Sequence, residues 1–223
     1  MPVAVHNVVR TLPDIPTLRE RCRAMAMLDA ILSPEWESRY YSFDARWAPG
    51  EQMASMRNGS GDAWSIVFSP SGAFIRGFDH ESPMSPASND GELWPGLVDA
   101  VPQVFSGCVD EPAFSYKGTL EATVCLWRQH GDDRWHTGEL DLPDGNDPDG
   151  ADRLFQVLVE GTAVAYHRFA EDYYETTVDL EAVGEVFALH PLSDELVRRL
   201  NADLVVADLT DDLIEIGYPT RHV

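Results

Sequence analysis

The segment from Asp62 to Phe78 constrains the fold more than any other, because its pattern predicts two strands joined by a tight turn. In residues 62–68, large apolar side chains alternate with smaller or polar ones, which is typical of a half-buried strand. Residues 69–72 are Ser-Pro-Ser-Gly, and a type I turn prefers proline second and glycine fourth. Residues 73–78 then return as the partner strand, so we predict a β-hairpin. Gly77 inside this strand indicates a bulge or a close backbone approach.

Charged side chains are dense at the ends of this hairpin, and they form the candidate site. As one hypothesis, we predict that a small-molecule ligand is bound by Arg57, Asp62, Asp79, His80 and Glu81. The other hypothesis is structural: Asp79 or Ser82 caps the turn that follows, and His80 is a hydrogen-bonded structural histidine. A simple metal site is not predicted, because Asp79 and Glu81 would share one face of a strand while His80 points away. No HExxH motif or paired-cysteine spacing supplies further ligands, so we predict no metal and no cofactor.

Signatures of common catalytic chemistries are missing from the sequence. The glycine-rich loop 57–62 could cradle an anion, but it lacks the phosphate-loop pattern. Ser60 stands between two glycines rather than in a G-x-S-x-G motif, and no dinucleotide-binding fingerprint is present. The acidic loop 142–152 has the wrong spacing for a calcium loop. We therefore assign no catalytic residue, and the sequence leaves catalysis open.

The chain is strongly acidic, with a formal net charge of -22 over 223 residues and a sequence pI near 4.4. Such a charge repels phosphate backbones, so we expect no nucleic-acid partner. It suits a solvated surface, and it also suits docking onto a basic protein. Acidity therefore favours a basic partner over a nucleic acid.

The cysteines and the apolar pattern indicate the compartment. Cys22, Cys108 and Cys125 are odd in number and scattered, which predicts reduced thiols in the cytoplasm. The N-terminal residues lack a basic region followed by an apolar core, so no signal peptide is predicted. No run of eighteen apolar residues is present, so no membrane span is predicted.

The first part of the chain is predicted to be mainly sheet. A helix is predicted over 17–32, with Thr17 and Glu20 in a capping-box pattern. Residues 39–47 predict a first strand and 51–57 a helical turn, and 94–105 predict two short helical turns around Pro102. A second hairpin is predicted from the β-branched and aromatic segments 122–128 and 135–140.

From Ala151 onward the apolar period changes to that of helices. Gly161 is expected to end the first helix, and three further helices are expected to be capped by Thr162, Asp179 and Ser193. Strands followed by helices predict an α+β fold with an antiparallel sheet of two hairpins plus a first strand, an N-terminal helix and a C-terminal helical third. We predict one domain over 1–223, in which 1–140 is mainly sheet and 151–223 is mainly helical and packed on it.

Four segments together resemble a recurring bacterial sequence pattern. They are the block MASMRNGSGD…FIRGFDHESPMSP, the later WRQHGDDRWHTGEL, the Asp/Gly/Pro-rich loop and the C-terminal EIGYP. On these segments the chain resembles a family of bacterial proteins with no known activity, and the resemblance covers most of the chain. It implies a bacterial, intracellular, single-unit protein, and it implies no cofactor or catalytic residue.

Two functions of different class follow from these observations. The first is a non-catalytic binding or immunity-like protein that docks a basic partner, which acidity without a catalytic signature favours. The second is a small-molecule enzyme or binder that uses the five charged residues around the first hairpin. The oligomeric state is not determined by the sequence.

Overall fold

The computed structural model describes residues 4–220. It contains eight strands, which in chain order are β1 (Tyr41–Ala48), β2 (Glu51–Arg57), β3 (Ala63–Ser69), β4 (Gly72–Phe78), β5 (Ser115–Tyr116), β6 (Thr119–Leu120), β7 (Val124–Gln129) and β8 (His136–Thr137). Six of them form an antiparallel sheet in the order β1-β2-β3-β4-β7-β8, and β5 pairs with β6 in a separate hairpin. The predicted antiparallel sheet of hairpins is therefore confirmed.

Eight α-helices surround these strands in the sequence. They are α1 (Val5–Thr11), α2 (Ile15–Leu32), α3 (Ser106–Val109), α4 (Ala151–Glu160), α5 (Ala163–Tyr173), α6 (Leu180–Phe187), α7 (Asp194–Leu200) and α8 (Thr210–Ile216). Helices α1 and α2 precede the sheet and the last five follow it, so the α+β class is confirmed. Each helix among residues 4–220 is too short or too polar to cross a lipid bilayer.

The hairpin that dominates the sequence forms with the predicted register. Strands β3 and β4 pair from Ala63 opposite Phe78 to Ser69 opposite Gly72, so the turn lies at Pro70 and Ser71. The pairing runs through Gly77 without a bulge, and the close approach comes from a side chain instead. A Cβ atom at Gly77 would lie 2.9 Å from the Phe155 ring, so only glycine leaves room for that ring.

The expected helical turn at 51–57 is wrong, because these residues form strand β2. Gly50 has a φ of 80°, which lets the chain reverse directly after β1. Ala54 and Met56 are buried while their neighbours are not, and this period of two is that of a strand. The first strand is consequently half of a third hairpin rather than an isolated strand.

The N-terminal caps predicted for the helical third are confirmed. The side chains of Thr162, Asp179 and Ser193 accept hydrogen bonds from the backbone amides at the third helical positions of α5, α6 and α7. Gly217 follows α8 in the left-handed conformation, as a C-terminal stop requires. Helix α2 begins at Ile15, so Thr17 lies inside it rather than at its cap.

Contacts divide the chain into two compact units. Unit 1 comprises residues 1–15 and 55–159, and unit 2 comprises 16–54 and 160–223. The prediction of one domain with the helical third packed on the sheet stays a prediction. In unit 1 the buried apolar side chains include Trp64, Ile66, Phe74, Leu126 and Phe155.

Unit 2 is centred on a buried carboxylate. Asp29 is 0% exposed, and it accepts hydrogen bonds from the amides of Tyr40 (2.9 Å) and Tyr41 (2.6 Å) and from the Tyr166 hydroxyl. Burial raises the pKa of Asp29 to about 6, although these hydrogen bonds act in the opposite direction. Asp29 thereby joins α2, β1 and α5 within this unit.

Candidate functional site

Three of the five predicted site residues converge in unit 1, together with a fourth that the sequence did not indicate. Asp62 precedes β3, Asp79 and His80 follow β4, and Arg153 lies in the first turn of α4. We call these four residues the hairpin cluster. Because the two ends of a hairpin are adjacent, the fold brings Asp62 to Asp79 and His80 even though they are well separated in sequence.

The Arg153 guanidinium bridges the two aspartates of the hairpin cluster. Its Nη1 donates to Asp62 Oδ2, and its Nη2 lies 2.8 Å from Asp79 Oδ2. The His80 Nδ1 atom lies 2.7 Å from Asp62 Oδ1, to which the His80 backbone amide also donates. Both carboxylates are buried, whereas the Arg153 side chain is half exposed. Each buried charge is therefore paired, as buried charges must be.

Local turns prepare this geometry before the cluster closes. Asn58 Oδ1 accepts the amides of Ser60 and Asp62, and Asn58 Nδ2 donates to Asp62 Oδ2 at 2.7 Å. This side chain holds the glycine-rich loop as an Asx-type turn. Gly150 has a φ of 74°, and a Cβ there would lie 2.4 Å from Asp79 Oδ2. A glycine at 150 is thus required for the Asp79 carboxylate to fit.

Hydrogen bonds also fix the backbone of Asp79. Its amide donates to Thr123 Oγ1 at 3.1 Å, and the Thr123 hydroxyl donates to the carbonyl of Asp149 at 2.7 Å. Asp79 Oδ1 accepts the Glu81 amide at 3.0 Å, which is the turn-capping role predicted in the structural hypothesis. Asp149 Oδ1 accepts the amide of Ala151 at 3.0 Å at the start of α4, where a negative charge is favourable.

The electrostatics of the hairpin cluster favour its ionised form. Burial alone would raise the pKa of Asp62, but hydrogen bonds from Arg153 and His80 outweigh burial and hold that pKa at about 2. The hydrogen bond to Asp62 raises the pKa of His80 above its usual value. The bonds to Asp62 and Asp79 raise the pKa of Arg153 further above that of a free guanidinium.

The other two predicted residues, Arg57 and Glu81, are exposed. Arg57 ends β2 with an exposed side chain, and the guanidinium that bridges the aspartates belongs to Arg153 instead. Glu81 is exposed and reaches Asp79 through its backbone amide. Ligand binding by Arg57, Asp62, Asp79, His80 and Glu81 stays a prediction.

The hairpin cluster has the atoms for a cation site but already contains a cation. One ligand atom from each of Asp62, Asp79 and His80 lies within 4.8 Å of the others. Carboxylate and imidazole ligands suit several divalent ions. The Arg153 guanidinium, however, lies on both carboxylates, so a metal ion would have to displace it. The contacts therefore fit an ion-pair lock between the hairpin and α4 better than a metal centre.

A second candidate surface lies in unit 2, on the short 3-10 turn Trp36–Ser38. Trp36 is 46% exposed, and the flanking Glu35 and Glu37 are exposed as well. The buried Arg39 side chain holds this turn by donating to the carbonyls of Ser33 (3.0 Å) and Pro34 (2.8 Å). A large apolar side chain is thereby presented to solvent between two carboxylates.

Arg39 also joins this turn to helix α8. Its Nη1 atom lies 2.5 Å from Asp212 Oδ1, in the first turn of α8. The same helix carries the exposed acids Asp211 and Glu215. We call the residues Glu35, Trp36, Glu37, Asp211 and Glu215 the Trp36 face. Burial is the main cause that raises the pKa of Glu215, the nearby carboxylates of Asp44 and Asp212 raise it further, and the Arg39 guanidinium acts in the opposite direction.

Sequence reasoning missed Arg153 and Trp36 as site residues. Arg153 is 91 positions from its partner Asp62, so only the folded chain places them together. Trp36 had a local signal in Pro-Glu-Trp-Glu-Ser, where charged neighbours indicate an exposed aromatic side chain. Comparisons with protein-family models, curated proteins and solved structures give no match.

Proposed function

We propose that this chain is a non-catalytic binding protein that docks a basic partner, in the manner of an immunity protein. The observation that carries the proposal is the exposure of Trp36 between two glutamates, on a turn held by a buried arginine. Tryptophan is one of the three residue types, with tyrosine and arginine, that are enriched at the hot spots of protein interfaces.

The charge of the Trp36 face specifies the partner's chemistry. The acids at 35, 37, 211 and 215 lie on one unit whose exposed surface carries many further carboxylates. The carboxylates of Asp44 and Asp212 repel that of Glu215, and a cation in addition to Arg39 would weaken this repulsion. Lysine or arginine side chains of a partner supply that cation, and electrostatic steering would speed their approach.

Reduced cysteines support a cytoplasmic site of action. Cys22, Cys108 and Cys125 are all buried, and no disulfide joins any two of them. Burial raises the pKa of the Cys125 thiol to about 12, and it raises that of Cys22 further. Disulfides are rare in the cytosol, and three buried cysteines with no disulfide among them fit that compartment. A bacterial source, which the sequence resemblance implies, is part of the same proposal.

Affinity capture from bacterial lysate tests the proposal. The wild-type chain is expected to retain a stoichiometric basic protein at low salt and to lose it as salt rises, because exposed charges are screened. Trp36→Ala is expected to abolish retention. Tyr116→Ala removes another exposed aromatic side chain, located in unit 1, and is expected to retain the partner. Equal recovery with both variants, or no stoichiometric partner at any salt concentration, would refute the proposal.

A second candidate function is small-molecule binding or catalysis at the hairpin cluster. The favouring observation is that His80 and Arg153 are accessible to solvent while holding buried carboxylates. Thermal shifts with phosphate, sulfate and citrate test this candidate. Stabilisation that is lost in both His80→Gln and Arg153→Lys would favour it, and the absence of any shift would count against it.

A further inference from the structure

The geometry points to a binding site for a small apolar carboxylate beneath the β5–β6 hairpin in unit 1. The site is a cavity of about 340 Å³. Its apolar lining comes from Phe78, Pro86 and Tyr116, and its charged lining from Lys117 and Glu121. This volume is at the lower end of the range for small-molecule pockets, and a mostly apolar lining with few polar groups is their usual composition.

Lys117 is the group that would recognise the carboxylate. It is the single lysine in the sequence. It occupies the first position of the two-residue turn between β5 and β6, where φ is 52°, followed by Gly118 at 86°. Two successive positive φ angles identify a type I′ turn, whose first position prefers asparagine, aspartate or glycine. A lysine there is conformationally strained, and such strain is often found at functional positions.

The position of the lysine ammonium agrees with this role. Lys117 Nζ lies 5.1 Å from the centre of the Tyr116 ring, and both residues line the cavity. The hairpin is fixed against the preceding loop because Thr119 Oγ1 donates to the Gly91 carbonyl at 3.1 Å. The turn, the aromatic ring and this hydrogen bond thus position Lys117, an exposed residue, in the lining of the cavity.

The acid in the cavity has a different electrostatic partner. Arg76 is 6% exposed, and its Nη1 donates to the backbone carbonyl of Glu121. Its guanidinium lies 5.3 Å from the centre of the Phe114 ring, and among residues 4–220 its Nε has no hydrogen-bond partner. Arg76 and the Glu121 carboxylate attract each other electrostatically. Among residues 4–220, the Lys117 ammonium forms no ion pair with Glu121 or with another carboxylate, so its positive charge is available to a ligand.

The ligand class follows from these two features. A carboxylate would pair with the Lys117 ammonium, and an aromatic or branched aliphatic body would fill the space beside Phe78 and Pro86. A neutral alcohol of the same shape would lose the ion pair, and an amine would face the ammonium with like charge. This site is separate from the Trp36 face and does not depend on the proposed function.

Isothermal titration with 3-phenylpropionate tests the inference, with 3-phenylpropan-1-ol and 3-phenylpropylamine as analogues. The carboxylate is expected to bind saturably and at least tenfold more tightly than either analogue. Lys117→Asn is expected to weaken carboxylate binding at least tenfold while raising the melting temperature, because asparagine suits the turn. If Lys117 instead stabilised the fold, Lys117→Asn would lower the melting temperature. Arg134→Asn, which removes another exposed cation of unit 1, is the matched control and should bind like wild type.

A second variant blocks the cavity without changing its charge. Ala87 is exposed and lines the cavity, so Ala87→Trp is expected to abolish binding in a folded protein. Several results would overturn the inference: no saturable binding of 3-phenylpropionate, binding of the amine as tight as that of the carboxylate, or undiminished carboxylate binding in either Lys117→Asn or Ala87→Trp.

Discussion

Replacing Arg153 with alanine tests whether the hairpin cluster is an ion-pair lock. The change removes the cation that bridges the carboxylates of Asp62 and Asp79, whose side chains are 3% and 10% exposed. Asp62 then keeps hydrogen bonds from Asn58 and His80, and Asp79 keeps that from the Glu81 amide. Removing one partner of a fully buried ion pair costs roughly 3–5 kcal/mol. Arg153 is 51% exposed, so solvent screens part of that interaction. We expect a loss of about 2 kcal/mol in the free energy of unfolding at pH 7.

The pH dependence of this loss has a defined sign. The folded-state pKa of Asp62 is about 2, below the value of 3.8 for an unperturbed aspartate. A depressed pKa contributes stability that is present above pH 4 and lost as pH falls towards 2. The difference between wild type and Arg153→Ala should therefore be full at pH 7 and smaller at pH 3.

Urea unfolding followed by circular dichroism, at pH 7 and at pH 3, measures the loss in the free energy of unfolding and its pH dependence. The control is Arg168→Ala. Like Arg153, Arg168 lies in a helix and forms an ion pair, but its partner is Glu160 and the pair is exposed. An exposed pair contributes at most about 0.5 kcal/mol, so this control should unfold almost like wild type. Equal effects of the two substitutions, or an Arg153→Ala loss that is the same at pH 7 and pH 3, would refute the ion-pair lock.

The further predictions concern Asp29, Gly150 and the hairpin cluster. Asp29→Ala leaves three buried donors without an acceptor and should cost roughly 3 kcal/mol or more in urea unfolding, with Asp29→Asn costing less. Burial raises the folded-state pKa of Asp29 to about 6, so its protonation stabilises the wild-type protein below pH 4. This stabilisation is lost as the pH rises through 6. In a pH series of unfolding experiments, Asp29→Asn should flatten this change in stability. Gly150→Ala should lower the free energy of unfolding by roughly 2 kcal/mol, because φ is positive there and the new Cβ would overlap Asp79. The control Gly131→Ala, which has open space around its Cβ, should be near neutral in the same assay. In Arg153→Ala the potential metal ligands Asp62, Asp79 and His80 no longer have a guanidinium between them. In thermal-shift measurements, manganese should therefore raise the melting temperature of Arg153→Ala and leave that of wild type unchanged.

Elements with strong local signals were predictable from the sequence. The Ser-Pro-Ser-Gly turn fixed the register of β3 and β4, and the caps at Thr162, Asp179 and Ser193 located the starts of three helices. These features depend on residues within a few positions of one another. Local backbone preference and side-chain hydrogen bonding were sufficient to identify them.

Features that depend on distant residues were missed. Strand β2 has too few β-branched residues to show strand preference, and it forms because its neighbours in the sheet supply hydrogen bonds. The β5–β6 hairpin has only two residues in each strand, which is too short for a periodic pattern. Arg153 joins Asp62 and Asp79 only after α4 and the first hairpin are in place. Three of the four residues of the hairpin cluster were therefore among the predicted site residues, whereas Arg153 was not.

The binding constant of a captured and purified basic partner tests the central claim most directly. Trp36→Ala should weaken binding about thirtyfold, which corresponds to the roughly 2 kcal/mol of an interface hot spot. The double variant Glu35→Gln/Glu37→Gln should weaken binding and reduce its salt dependence. The control double variant Asp110→Asn/Asp144→Asn neutralises two exposed acids of unit 1. It should leave both the binding constant and its salt dependence unchanged. Binding that is equal in wild type and Trp36→Ala, or a salt dependence that follows the unit 1 acids instead, would contradict the account.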